Sequence, residues 1–199
     1  MPKVLHIIYI PGLGDQGENK GQRWAVAHWL RHGVEAEVFQ MHWADSEPWT
    51  AKFKRLLDRI DELTEQGKKI ALVGASAGAG AVINAYAARQ NKIVGCVLIA
   101  GKVNRPETIG PNYRKENPAF ITSAYDCEKA LSTLDAAARQ RILSRFALID
   151  ETVYKPDSRI PGARNRLSPT ISHVGTIAFQ LTLGAPSFIR WLKRLQPVK

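Results

Sequence analysis

The chain has 199 residues, of which 45% are hydrophobic and 23% charged, and its formal net charge is +10. This composition is typical of a globular domain with a sizeable core and excludes a disordered or fibrous chain. No apolar run is long enough to span a membrane, and the basic residues are spread along the chain rather than gathered in a nucleic-acid-binding motif. The sequence therefore predicts one domain over residues 1–199, with no nucleic-acid partner and no stable membrane insertion.

The two cysteines point to a reducing environment. Cys96 lies in an apolar run and Cys127 in a helical stretch, and their spacing matches neither a metal site nor a disulfide framework. Cys96 is expected to be a small core residue. The expected location is therefore the cytoplasm.

In the first half of the chain, strand patterns alternate with helix patterns. The predicted elements are a strand over 4–10, a helix over 20–32 closed by Gly33, a strand over 34–42, a helix over 49–66 closed by Gly67, a strand over 69–73, a helix over 79–88 and a strand over 93–100. The residues expected to share the inward face of the first helix are Trp24, Ala27, His28 and Leu30.

The second half is less regular. The predicted elements are an irregular segment over 101–120, a helical region over 119–142 broken near Ser132, a strand over 145–149, a loop-rich segment over 150–172, a helix after His173 and a helix over 186–195. Alternating strands and helices predict an α/β fold, a three-layer αβα sandwich with a mainly parallel sheet. Residues 102–142 are expected to form a small lid or helical insertion.

The pentapeptide Gly74-Ala75-Ser76-Ala77-Gly78 lies between a predicted strand and a predicted helix. A serine on so sharp a turn needs small neighbours, and here a glycine stands two residues away on each side. This pattern is typical of a nucleophile elbow, which holds the serine hydroxyl clear of the sheet. The alternatives are a tightly packed turn and a phosphate cradle, although a Walker loop would require a lysine that is missing here.

A serine nucleophile requires a base, and the base requires an orienting acid. His173 is the one histidine that follows Ser76, and it precedes a predicted helix. Asp150 directly follows the predicted strand over 145–149, so we favour it as the acid. Asp157 is the alternative, because it would reach the histidine if that strand continued further.

An oxyanion formed by serine attack needs fixed hydrogen-bond donors. The backbone N–H of Ala77, at the start of the elbow helix, is the first candidate. The backbone N–H of Leu13, in the loop after the first strand, is the second. Gly12 in the same loop would let the backbone approach the substrate closely.

The loop Pro11-Gly12-Leu13-Gly14, the elbow around Ser76, the segment starting at Asp150 and the pair Ser172-His173 occur in the order found in the α/β-hydrolase superfamily, and the chain resembles a reduced member of it. The resemblance implies a Ser76–His173–Asp150 triad, an α/β-hydrolase fold without a full cap domain, no cofactor and no metal. It also implies that an ester, thioester or amide of a small molecule is cleaved through an acyl-enzyme. In this chain Pro11 stands where many members have histidine.

Two other functions remain open on the sequence. Gly12, Gly14 and Gly17 form a G-x-G-x-x-G pattern after the first strand, which indicates dinucleotide binding, but no acidic residue ends the second strand before Asp45. A non-catalytic binding protein on the same scaffold is the second alternative.

The basic residues offer one hint about the substrate. Arg159, Arg164 and Arg166 precede His173 in the sequence. If they face the pocket, they would favour an anionic substrate.

Overall fold

Six parallel strands form one sheet in the computed structural model, which describes residues 4–15 and 17–196. The strands are β1 (Leu5–Ile10), β2 (Glu35–Val38), β3 (Lys69–Ala75), β4 (Ile93–Ile99), β5 (Ile142–Ala147) and β6 (Arg164–Ser168). The α-helices are α1 (Lys20–Ala27), α2 (Trp49–Glu65), α3 (Ala77–Ala88), α4 (Pro111–Glu116), α5 (Pro118–Thr133), α6 (Ala136–Arg139), α7 (Lys155–Ser158), α8 (His173–Leu181) and α9 (Ala185–Arg194). The spatial order of the strands is β2-β1-β3-β4-β5-β6.

The sheet lies between two layers of helices. Ile8 and Ile10 of β1 pack into a core shared with α2, α3 and α5. Ile7 and Tyr9, which point to the other face, pack into a second core with α1 and α9. Each such buried apolar side chain stabilises the fold by about 1.5–3 kcal/mol relative to an exposed one. The predicted three-layer αβα sandwich is therefore confirmed.

The strand order fixes where a ligand can bind. β1 pairs with β2 on one side and with β3 on the other, in parallel register on both sides. The chain leaves β1 towards α1 on one face and leaves β3 towards α3 on the opposite face. The loops after β1 and β3 therefore both lie at the carboxyl edge of the sheet, where ligands bind in open parallel sheets.

Several local predictions are confirmed. The helix predicted over 49–66 is α2, which buries Leu56, Ile60 and Leu63 at helical spacing. Gly33 and Gly67 both adopt positive φ, 66° and 78°, which lets the chain leave a helical segment through the left-handed region. The Cys96 side chain is fully buried in the core.

The predicted inward face of the first helix was wrong. Helix α1 ends at Ala27 and continues as a tighter 3₁₀ turn over His28–His32, which rotates the later side chains. Leu30, in that turn, is 69% exposed. Trp24 lies before the turn and is 60% exposed, because α1 buries Ala25 and Val26 instead. Trp29 is buried instead, where its ring packs on Phe188 and its indole N–H donates to the Leu181 carbonyl at 2.9 Å.

The strand boundaries in the second half were also wrong. β5 starts at Ile142 and ends at Ala147, and β6 lies inside the segment that we expected to be a loop. Among the described strands, β6 pairs with β5 alone, and it exposes most of its side chains, so it lacks the apolar pattern of a buried strand. The predicted break in the helical region is confirmed, because α5 ends at Thr133 and Asp135 starts a separate short helix by accepting a hydrogen bond from the Ala138 N–H at 2.7 Å. That region ends at Arg139 rather than at residue 142, where β5 begins.

The segment expected to act as a lid is partly built into the core. Helix α5 packs on α3, and the buried Asn84 amide donates to the Ser123 carbonyl at 2.9 Å. The shorter pieces before α5 are a 3₁₀ turn at Pro106–Thr108 and helix α4. Whether residues 102–142 move as a lid stays a prediction. In the described part of the chain, no helix combines the length and the apolar character needed to cross a membrane.

Candidate active site

Ser76 occupies a strained turn between β3 and α3, with φ of 51° and ψ of −117°. Neither flanking glycine has room for a side chain. A Cβ on Gly74 would lie 2.6 Å from the Gly78 carbonyl oxygen, and a Cβ on Gly78 would overlap the Ile10 carbonyl and lie 2.6 Å from that of Pro11. The chain therefore makes the sharp strand-to-helix turn that the pentapeptide predicts, and Ser76 alone in this segment is partly exposed.

The backbone around Ser76 is held from two sides. Its N–H donates to the Ile99 carbonyl of β4 at 2.9 Å. Its carbonyl accepts hydrogen bonds from the N–H groups of Ala79 at 3.1 Å and Lys102 at 3.2 Å. These contacts offset part of the strain that the positive φ imposes on the turn.

The loop after β1 lies directly against Ser76. A Cβ on Gly12 would lie 2.8 Å from the Ser76 Cβ, so only glycine fits there without displacement. Leu13 lines the same cavity as Ser76. Ala77 is the first residue of α3, where backbone N–H groups have no partner within the helix. The assignment of Leu13 and Ala77 as oxyanion donors remains a proposal.

A buried carboxylate braces this loop, and sequence reasoning missed it. Asp15 is fully buried and accepts hydrogen bonds from the N–H groups of Met41 (2.7 Å), His42 (2.7 Å) and Trp43 (3.0 Å). The Trp43 indole N–H in turn donates to the Pro11 carbonyl at 3.2 Å. An aspartate after a glycine turn often accepts backbone hydrogen bonds, but partners so far along the chain leave no local signal.

His173 and Asp150 form a buried pair. The two Asp150 oxygens lie 3.1 and 3.0 Å from His173 Nδ1. Asp150 also accepts hydrogen bonds from the N–H groups of Thr152 at 2.9 Å and Val153 at 2.7 Å. Burial raises the pKa of the Asp150 carboxyl, but these hydrogen bonds, led by that of His173, outweigh it and hold the pKa below its ordinary value.

The position of the histidine is set by the start of α8. His173 is the first residue of that helix, and Ser172 caps it by accepting a hydrogen bond from the Gly175 N–H at 3.1 Å. The Glu151 carboxylate accepts the backbone N–H of His173 at 3.0 Å. Glu151 thus fixes the backbone of the histidine while its neighbour Asp150 contacts the ring. Sequence reasoning did not single out Glu151.

Asp157 lies elsewhere. Its carboxylate is 2.8 Å from the Lys102 ammonium and 2.6 Å from Arg105 Nε, and its side chain is only 3% exposed. Of the two acids proposed from the sequence, the structure thus brings Asp150 to the histidine and brings Asp157 to two cations.

A cavity of about 90 Å³ opens beside Ser76. Leu13, Ile109, Phe120 and Val153 contribute apolar surface to it. Thr152 and Val153, whose N–H groups bind Asp150, also line this cavity, so the acid's own loop borders the space in front of the serine. Arg159, Arg164 and Arg166 do not line it.

The glycine pattern after β1 differs from a dinucleotide site in one respect. Helix α1 begins only at Lys20, three positions after Gly17, whereas the fingerprint opens directly into a helix. Gln16 of this motif lies outside the described residues. Within the described ranges, no group of three or more histidine, cysteine, aspartate or glutamate side chains is placed to hold a metal ion.

Comparison with solved structures identifies the fold. A carboxyl esterase of metagenomic origin has a TM-score of 0.74 at 15% identity, covering 97% of this chain and 76% of that one. Est1E from Butyrivibrio proteoclasticus has a TM-score of 0.72 at 15% identity, with 96% and 89% covered. A putative hydrolase of the α/β superfamily from Xanthomonas campestris has a TM-score of 0.63 at 18% identity, with 94% and 98% covered.

Neither a family model nor a curated protein sequence matches the chain. Identities this low carry information about architecture rather than activity. The similarity in backbone architecture extends over 94–97% of this chain in these three structures. The chain has the α/β-hydrolase fold.

Proposed function

We propose that the protein is a serine hydrolase that cleaves the ester bond, or a thioester or amide bond, of a small molecule through an acyl-enzyme. The observation that carries the proposal is the strained Ser76 at the elbow, at the same sheet edge as the buried His173–Asp150 pair. The solved structures similar in fold include a carboxyl esterase, which supports the same class of reaction.

The first half of the reaction forms the acyl-enzyme. Asp150 accepts the Nδ1 hydrogen of His173, which leaves the Nε2 lone pair to take the proton of the Ser76 hydroxyl. The Ser76 oxygen then attacks the carbonyl carbon, and the carbonyl electron pair becomes the oxyanion. The N–H groups of Leu13 and Ala77 stabilise that charge.

The second half releases both products. The tetrahedral intermediate collapses, the bond to the leaving group breaks, and His173 gives its proton to the departing alcohol, thiol or amine. A water molecule then loses a proton to His173 and attacks the acyl carbon. Collapse of this second intermediate frees the carboxylic acid and returns the proton to Ser76.

A fluorophosphonate probe tests the mechanism, because it reacts only with an activated serine. We expect one adduct by intact mass on the wild type and none on Ser76→Ala. We expect labelling to slow on the order of 10²- to 10⁴-fold in His173→Ala and Asp150→Asn. Asp157→Asn tests the alternative acid, and we expect it to slow labelling much less than Asp150→Asn because Asp157 contacts Lys102 and Arg105.

The opposite pattern would contradict the assignment. If Asp157→Asn slowed labelling and Asp150→Asn did not, Asp157 would be the acid. No adduct on a folded wild type, judged by its thermal transition, would end the hydrolase proposal. The non-catalytic binding protein would then be favoured, and calorimetry with NAD would test the dinucleotide alternative.

A further inference from the structure

We propose that the cavity beside Ser76 takes a short acyl group that ends in a carboxylate, and that Lys102 binds this carboxylate. The inference rests on the proposed serine hydrolase activity and specifies its substrate class. It depends on the position of Lys102, on the charge balance around it and on the size of the cavity.

Lys102 is held in a fixed place relative to the nucleophile. The backbone N–H of Lys102 donates to the Ser76 carbonyl at 3.2 Å. The Lys102 side chain is only 8% exposed and lines the same cavity as Ser76. The ammonium donates to the Thr108 hydroxyl at 2.6 Å and contacts Asp157 at 2.8 Å. An ammonium has three hydrogens to donate. Among the described residues, Thr108 and Asp157 are the two partners of this ammonium. The third hydrogen is therefore left for a ligand in the cavity.

The local charge favours an anion. Asp157 is shared between two cations, with one carboxylate oxygen on Lys102 and the other on Arg105. The three side chains together carry a net charge of +1. Lys102 and Asp157 are the charged side chains among the residues that line the cavity in the described structure. Arg105 is 44% exposed and does not line the cavity, so the buried cation there is Lys102, which shares its counter-ion with a second cation. An incoming carboxylate would give the Lys102 ammonium a further acceptor, whereas a neutral alkyl chain would leave a buried donor unsatisfied.

The size of the cavity limits the length of the acyl group. A cavity of roughly 150 Å³ is enough for a benzene ring, and this one has about 90 Å³. Its apolar residues, Leu13, Ile109, Phe120 and Val153, suit a few methylene groups. An acyl chain with two or three methylenes between the reacting carbonyl and a terminal carboxylate combines both requirements.

The test compares two ethyl esters of nearly equal size. Monoethyl succinate carries the terminal carboxylate, and ethyl 4-methylpentanoate carries an isopropyl group in its place. The measured quantity is the ratio of kcat/KM for the charged ester to that for the neutral ester, followed by ethanol release. We expect the wild type to favour the charged ester. In Lys102→Met we expect this ratio to fall about 10- to 100-fold, the usual effect of losing a charge-assisted hydrogen bond.

Two further variants test whether a change in the kcat/KM ratio is specific to the site around Lys102. Lys115→Met removes an exposed lysine of α4 and the same unit of charge, and we expect the wild-type ratio. Asp157→Asn removes the carboxylate that competes for the ammonium, so its ratio should rise. An unchanged ratio in Lys102→Met, or a wild type that prefers the neutral ester, would overturn the proposal while leaving the hydrolase activity in place.

Binding measurements separate this inference from the proposed activity. If neither ester is hydrolysed, calorimetry with succinate on Ser76→Ala tests whether the cavity binds a carboxylate, because this measurement needs no turnover. Succinate binding that is lost when Lys102→Met is added would support the carboxylate site even then. No succinate binding to Ser76→Ala would reject it.

Discussion

The buried His173–Asp150 pair has a counterpart at the opposite end of the sheet, where the buried His6 ring contacts the partly exposed Glu35. His173 Nδ1 lies 3.0 Å from Asp150 at the carboxyl edge, and His6 Nδ1 lies 3.1 Å from Glu35 near the start of β1. His6 precedes Ile10 by four residues, or about 13 Å along the strand. A contact between a histidine and a carboxylate is therefore not sufficient to identify a catalytic base.

The surroundings of the two pairs differ. The carboxylates near His6 are engaged by other cations: Glu35 by Lys68 at 2.8 Å and Glu37 by Arg59 at 2.7 Å. This cluster joins β1 and β2 to α2. Asp150, in contrast, is bound by His173 and by backbone N–H groups of a loop that lines the cavity of Ser76. The pairs also differ in geometry, because both Asp150 oxygens lie on His173 Nδ1, whereas the two ring nitrogens of His6 face two different carboxylates. The strained serine lies at the sheet edge of the His173 pair.

The largest expected effect is on kcat, in which substitutions of the two histidines should differ. His173→Ala should reduce kcat for any ester substrate on the order of 10³- to 10⁴-fold, because the serine loses its general base. His6→Ala should leave kcat within about twofold, since its ring lies far from the reacting atoms. Steady-state kinetics on both variants, after confirming folding by circular dichroism, make the comparison. A large loss of kcat in His6→Ala alone would contradict our assignment of the site.

The comparison also shows what the sequence could predict. The elbow, helix α2 and the position of His173 at the start of α8 were predictable because they depend on neighbours within a few residues. The sequence reduced the candidates for the triad acid to Asp150 and Asp157, although the predicted strand ended two residues too late, at Ile149 instead of Ala147. Asp150 still reaches the sheet edge, because its loop folds back with the Thr152 and Val153 N–H groups on its carboxylate.

What the sequence could not predict depends on residues far apart in the chain. Lys102 follows a glycine in a segment without periodicity, and only its contacts with Asp157 and the cavity reveal a role. The hydrogen-bond partners of Asp15 likewise lie far along the chain, at residues 41–43. β6 was missed because an edge strand paired on one side needs no apolar pattern. The arginines at 159, 164 and 166 were close in sequence to His173, yet the cavity is lined by a lysine from another loop.

A smaller effect concerns the free energy of unfolding and depends on the tight packing of the elbow. In Gly78→Ala the new methyl would overlap the Ile10 carbonyl, so we expect a loss of about 1–3 kcal/mol in the free energy of unfolding and slower probe labelling of Ser76. Gly80→Ala, in the same helix, would place its methyl 3.6 Å from the nearest atom. We expect it to be neutral or stabilising by about 0.4–1 kcal/mol. Chemical denaturation measures both, and equal destabilisation would show that the turn is not as tight as described.

The smallest expected effect concerns the pH dependence of stability at the opposite end of the sheet. Burial lowers the pKa of His6, but the Glu37 and Glu35 carboxylates, which accept hydrogen bonds from the ring and attract its charge, outweigh burial and raise the pKa above the ordinary value of 6.5. Hydrogen bonds from Arg59 and His6 likewise lower the pKa of Glu37 to about 2, although burial raises it. The folded state therefore favours the charged form of the cluster.

A group whose pKa is raised by folding stabilises the protein fully below its unfolded pKa, and this contribution is lost as the pH rises through the folded pKa. The difference in free energy of unfolding between wild type and His6→Gln should thus be largest below pH 6.5, at about 0.5–1 kcal/mol, and decrease at higher pH. Urea denaturation over a pH series measures it, with the exposed His32→Gln as the matched control. A difference that grew with pH would mean that His6 is held neutral, and the cluster would then resemble a packed core site rather than an ion pair.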